Sequence, residues 1–217
     1  MTTSTNFVKN SIFDCAENDD FFGIKILFRS LIEHYLRFNF VWLNWIKSKS
    51  DNEANRYLDF TNAREALDSI KSEIEAHKLS NPDFKFDNWN ELLNQIPSCK
   101  GLSKKEIEEE TQCYTYKSII KLLKQIDNKA NETTLFNSLI KEYSRLSSFV
   151  HGGSGSHSEL IRFNEGVERQ KEYIRICGLS FQMATTVKLF SLIMFLQTDK
   201  EHFEKSYLFI NQIIKTV

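Results

Sequence analysis

Apolar residues recur every three to four positions along most of this chain, the spacing that puts them on one face of a helix. Phe22, Ile26, Leu27, Leu31, Tyr35, Phe38, Trp42, Trp45 and Ile46 predict a long helix over 19–47, with Asp19 or Asp20 placed to cap it. Ser50-Asp51-Asn52 breaks the pattern, and Asp51 or Asn52 can cap the next helix. Tyr57, Leu58, Phe60, Ala63, Leu67, Ile70 and Ile74 carry that helix to about His77. Asn81-Pro82 marks 79–88 as loop. A short helix over 89–96 is stopped by Pro97, and Ser103 with Glu106 forms a capping box that opens another. An amphipathic helix is predicted over 116–126. A polar connection over 127–132 then leads to a helix over 134–151.

Glycines and serines make 152–157 the most flexible internal segment. A long helix over 168–197 and a final amphipathic one over 201–214 complete the chain. No strand alternation and no repeat of fixed period stands out. The fold class is therefore all-α: a single bundle of long antiparallel helices over 1–217, with 1–18 as a loosely packed N-terminal extension.

At 217 residues the chain can bury a core without disulfides or metal. Apolar residues at 41% and charged residues at 26% are globular values. Two prolines and seven glycines leave room for uninterrupted helices, and 18 phenylalanines predict an aromatic core. A net charge of −1 argues against electrostatic nucleic-acid binding by the fold as a whole, so any such contact must come from a local patch or a dimer cleft. Cys15, Cys99, Cys113 and Cys177 form no CxxC pair, so buried free thiols in a reducing cytoplasm are expected, without a zinc site.

The first residues lack a signal-peptide pattern. The most apolar window, 179–196, is interrupted by Gln182 and Lys188 and is expected to be a buried core helix rather than a membrane span. Phosphate-loop, dinucleotide, zinc-protease and nucleophile-elbow motifs are missing, so neither cofactor nor metal is expected.

The candidate chemistry lies in Tyr143-Ser-Arg-Leu-Ser-Ser-Phe-Val-His151-Gly-Gly. In a helix Tyr143, Ser147 and His151 follow one another at intervals of four, drifting only about 40° per step, so they share one face. Gly152 supplies the left-handed position that commonly ends a helix and leaves His151 in the last turn. Histidine exchanges a proton near neutral pH, which makes His151 the leading candidate for chemistry. Arg145 is rotated about 120° from His151 in a continuous helix. Arg29 and Glu33, four apart on the early helix, read either as a surface ion pair or as a half-buried pair positioning a site. His34 and Arg37 are placed to extend that polar strip, and His157 reads as a surface residue.

These residues resemble the HEPN superfamily. Its general signature is an arginine followed after a short run by a histidine late in a helical bundle, here Arg145-Leu-Ser-Ser-Phe-Val-His151. A bacterial branch looks closer, with Arg-x-x-x-Glu early (Arg29, Glu33) and Tyr-x-x-Leu-Ser-x-x-Val-His-Gly late (Tyr143, Leu146, Ser147, Val150, His151, Gly152). The resemblance implies a homodimer whose motif helices face each other. It implies a metal-independent endoribonuclease of a bacterial defence or toxin–antitoxin system, with RNA as substrate and an antitoxin or defence protein as partner.

Carried over by position, His151 would move a proton between the ribose 2′-OH and the leaving 5′-oxygen, and Arg145 or Arg29 would stabilise the scissile phosphate. Active members carry a polar residue directly after the arginine, where this chain has Leu146. That departure favours Arg29 as the site arginine. It also keeps a second reading open, a non-catalytic module that binds RNA, a nucleotide or a partner protein. The enzyme reading requires Arg29, Glu33 and His151 to open into one solvent-reachable pocket.

Overall fold

The computed structural model describes residues 1–86, 88–129, 135–163 and 166–198, with 204 and 208. Among them the regular structure is helical and contains no strand. The chain forms two compact units, Met1–Phe38 with Thr134–Val217, and Asn39–Thr133. The final helix expected over 201–214 falls outside the described residues, apart from 204 and 208.

In the first unit, α1 (Thr2–Glu17) lies along the last long helix, α9 (Val167–Thr198). Thr5 and Ile12 are buried, and the Thr2 and Ser191 hydroxyls are hydrogen-bonded at 3.0 Å. The loosely packed extension expected over 1–18 is thus a docked helix. Its apolar residues are too few to announce it, and the long apolar surface of α9 supplies the partner.

Helix α2 (Phe21–Ser48) begins where Asp20 caps it, accepting the Gly23 N–H at 2.8 Å. A Cβ on Gly23 would lie 2.1 Å from Asp20 Oδ2, so any larger residue there would make the capping side chain turn aside. Ile24, Phe28, Leu31, Ile32 and Leu36 then recur at helical spacing and are fully buried. α7 (Leu135–Val150) buries Leu139, Ile140, Leu146 and Phe149.

The segment expected to be a flexible loop is instead mostly helix. α8 (Ser154–Arg162) starts directly after Gly153. Gly153 donates its N–H to the Ser148 carbonyl at 2.8 Å, and the buried Ser156 hydroxyl donates back to the Gly153 carbonyl at 2.7 Å. An added Cβ at Gly153 would sit 3.3 Å from the Ser148 Cβ, so the glycine permits this tight turn.

The expectation of a buried core helix over 179–196 needs correction too. Ile176, Ser180, Met183, Ala184 and Val187 are buried, while Ile174, Phe181 and Leu189 on the other side are exposed. By length and composition alone Val167–Gln197 could cross a membrane, with a mean hydropathy of 1.5 over its most apolar window. Apolar composition signals burial but does not say how much of a helix the fold covers.

The second unit contains the end of α2, then α3 (Asn52–Ser80), α4 (Trp89–Asn94), α5 (Lys104–Thr111) and α6 (Tyr116–Lys129). Short 3₁₀ turns at Pro97–Cys99 and Gln112–Tyr114 join them. Ala63, Leu67, Ile70 and Ile74 of α3 pack with Leu93, Cys99 and Ile107. The capping box forms as expected: Ser103 N–H donates to Glu106 Oε2 at 2.7 Å, and Glu106 N–H donates to Ser103 Oγ at 3.3 Å. Ser103→Ala should therefore cost about 1 kcal/mol. Urea unfolding would measure it, with Ser103→Asp, which keeps an acceptor at the cap, close to wild type.

Candidate functional site

α2 and α7 run antiparallel. Phe22 packs on Phe149 with ring centroids 5.8 Å apart, Arg29 reaches Ser147 and Tyr143, and Glu33 meets Tyr143. Arg29 is the cross-piece. Its Nε donates to Ser147 Oγ at 3.2 Å and its Nη2 to Tyr143 Oη at 2.5 Å. The guanidinium also lies 4.2 Å from the Tyr143 ring centroid, a cation–π arrangement. Tyr143 Oη in turn donates to Glu33 Oε2 at 3.3 Å, and Arg29 Nη1 stands 3.7 Å from the same oxygen. Arg37 donates to the other Glu33 oxygen at 2.6 Å.

Burial, then the Glu33 charge, raises the Tyr143 phenol above its usual range, so it keeps its proton and donates. Burial is also the main cause that lowers the half-buried His34 imidazole. Arg29 and Glu33 thus form the half-buried pair, at 18% and 24% side-chain exposure, rather than a surface pair.

His151 closes the last turn of α7, its N–H donating to the Ser147 carbonyl at 3.2 Å. Gly152 follows with φ +62°, the left-handed stop the motif requires. The imidazole is exposed and lies one helical turn, about 6 Å along the axis, beyond Ser147. Among the described residues none hydrogen-bonds it. The structure therefore joins Arg29, Glu33, Tyr143 and Ser147 in one hydrogen-bonded set. His151 stands at the open end of the same stripe without touching Arg29 or Glu33. His157, on α8, is exposed.

Arg145 faces elsewhere. Its Nε and Nη2 bind Glu142 at 3.0 and 2.7 Å, and its Nη1 binds Glu159. Leu146 beside it is fully buried, which explains why no polar residue follows the arginine. Arg175 joins the same network, bridging Glu142 and Glu172. At its centre lies Lys25, fully buried, with Nζ on Glu159 at 2.6 Å and on Glu172. The Phe21, Phe163 and Phe149 rings surround that ammonium, with centroids 4.7, 5.5 and 5.9 Å away.

A surface cavity of about 500 Å³ opens over the network, lined in part by Arg145, Arg162 and Arg175. The Arg145 and Arg175 donors on its wall are taken by carboxylates, so the arrangement is a clamp between α7, α8 and α9. Sequence reasoning passed over Lys25, Glu142, Glu159, Glu172 and Arg175. The one local signal was a lysine inside the apolar run Gly23-Ile-Lys-Ile-Leu-Phe. Among the described residues no three His, Cys, Asp or Glu side chains converge to hold a metal ion.

Residues 3–168 match the family model of DUF5677, described as a family of unknown function. The chain belongs to DUF5677. No curated protein and no solved structure matches it. The DUF5677 match contains the whole Arg29–Tyr143–Ser147–His151 stripe and the central Lys25, and it stops in the first turn of α9. Glu172 and Arg175, two arms of the clamp, lie beyond the DUF5677 range, as does most of α9.

Proposed function

We propose that this DUF5677 protein is a metal-independent endoribonuclease of HEPN type, acting in the cytoplasm as a homodimer within a bacterial defence or toxin–antitoxin system. The observation that carries the reading is that Arg29 docks on the Tyr143–Ser147 face of the stripe that ends at the exposed His151. In this reaction the ribose 2′-OH is the nucleophile. It forms a bond to phosphorus, the P–O5′ bond breaks, and a 2′,3′-cyclic phosphate and a free 5′-OH result. His151 moves the proton that leaves the 2′-OH or that the 5′-oxygen gains. Arg29, held by Glu33, Tyr143 and Ser147, supplies positive charge to the phosphate. Its planar fork matches both the stripe and a phosphate, so Arg29→Lys is not a conservative change.

A second reading is favoured by one specific observation. The Arg29 donors already engage Tyr143, Ser147 and Glu33, and Leu146 is a core residue. A protein that holds RNA or a nucleotide without cutting it would leave those bonds undisturbed.

Incubation of the purified protein with total RNA in EDTA separates the two. Cleavage leaving cyclic-phosphate ends, reduced about 100-fold or more in His151→Ala, supports the enzyme. RNA affinity without cleavage, weakened by Arg29→Ala or His151→Ala, supports the binding module. Absence of both cutting and affinity removes RNA from the proposal.

A further inference from the structure

Helix α6 has one apolar side and one basic side. Ile119 and Leu123 are fully buried and Ile120 and Leu122 half-buried, so the apolar side is taken up by the fold. Lys117, Lys121 and Lys124 are exposed on the opposite side. At 100° per residue they fall within a band of about 60°. Over its whole length, Tyr116–Lys129, α6 carries four lysines against a single acidic residue, Asp127.

Elsewhere in the second unit cations are matched. Arg64 meets Asp68 at 2.9 Å, Lys71 meets Glu108 at 2.7 Å, and Lys78 meets Glu75 at 2.7 Å. Among the described residues no carboxylate pairs with Lys117, Lys121 or Lys124. A face that serves only solubility mixes both signs. Like charges three and four residues apart on a helix repel each other, and a partner of opposite sign relieves that repulsion.

The same geometry points to the kind of partner. A basic helix that docks on lipid or in a protein groove brings an apolar face with it. The apolar face of α6 is already covered, so only positive charge is presented. A strand of phosphates is recognised by charge alone. The stripe runs about 10 Å along the helix axis, and a stacked nucleic-acid strand carries one phosphate about every 3.4 Å, so three lysines face about three phosphates. We propose that Lys117, Lys121 and Lys124 form a docking stripe for the phosphodiester backbone of RNA, holding the strand without reading its bases. The choice of RNA rests on the ribonuclease reading. The stripe belongs to the second unit, whereas Arg29 and His151 belong to the first, so it adds affinity and takes no part in the chemistry.

Binding of a 2′-O-methyl oligouridine, followed by fluorescence anisotropy over a salt series, tests this. The blocked 2′-hydroxyl prevents cutting, so affinity is read apart from cleavage. Each lysine–phosphate contact on a single strand contributes about 0.7 to the slope of log affinity against log salt. Changing all three lysines to glutamine should therefore lower the slope by about 2 and, with the two lines converging near 1 M salt, weaken binding about 100-fold at 0.1 M. Changing all three to arginine keeps the charge and should bind at least as tightly as wild type. Helicity should be unchanged in both, because the three side chains are exposed. A glutamine variant with the wild-type slope overturns the stripe and leaves the ribonuclease reading standing, since cleavage of total RNA is scored separately. A wild type that does not bind the oligonucleotide, or whose three lysines govern binding to phosphatidylserine vesicles instead, also overturns it. A lowered slope beside RNA cleavage that His151→Ala leaves unchanged would keep the stripe and remove the catalytic reading.

Discussion

Replacing Lys25 with methionine is expected to lower stability by about 3 kcal/mol, the lower end for breaking a buried ion pair. The side chain is fully buried while Glu159 and Glu172 keep 13% and 11% exposure, so removing the ammonium strands two nearly dry carboxylates. Arg145 and Arg175 still pair with them, which holds the cost at the low end. Methionine fills similar space among Phe21, Phe149 and Phe163, so lost charge rather than a cavity dominates. For a chain of this size the loss should appear as a fall of about 6–12 °C in Tm. Adding Glu159→Gln to the Lys25→Met variant should recover part of it, because a neutral amide needs no cation. A Lys25→Met protein as stable as wild type would mean that the buried ammonium contributes nothing to the clamp.

Acid should dismantle the same clamp. Burial disfavours the ionised Glu172, but hydrogen bonds from Arg175 and Lys25 and their charges outweigh it and hold its pKa at about 2, against an ordinary 4.5. Burial likewise opposes ionisation of Glu142, and hydrogen bonds from Arg145 and Arg175 prevail to lower it. A carboxyl whose folded pKa lies below its unfolded value binds fewer protons when folded. Its stabilisation is therefore complete above about pH 4.5 and is lost as the pH falls towards 2. At about 1.4 kcal/mol per unit, Glu172 accounts for roughly 3–4 kcal/mol of this. Tm measured between pH 7 and pH 3 should be level at first and drop steeply below about 4.5. Glu172→Gln should be less stable at neutral pH and show a shallower acid limb. Parallel curves for the two proteins would count against the clamp as the source of acid sensitivity.

Periodicity exposed most of the helices because Ile24, Phe28, Leu31, Ile32 and Leu36 bury one face at helical spacing. Local chemistry was equally readable at the Ser103–Glu106 box and at Gly152, where the signal and the bonds that answer it lie within a few residues. What escaped depends on distant partners. Lys25 meets Glu159 and Glu172 across 134 and 147 residues. The start of α8 is held by a return to Ser148, which its glycines disguised as loop. The stripe was legible as a face, and its turn of about 120° away from Arg145 agrees with where that side chain bonds. That Arg29 crosses to this face depends on how α2 meets α7, and spacing within either helix carries no information about it.

The division of the first unit into two stretches has a consequence for synthesis. Residues 39–133 form one continuous unit and can gather around Leu67 and Ile107 as soon as they leave the ribosome. The opening helix has no such opportunity. Its Thr2 waits for Ser191, 189 residues downstream, so α1 stays without its packing partner until α9 has been made.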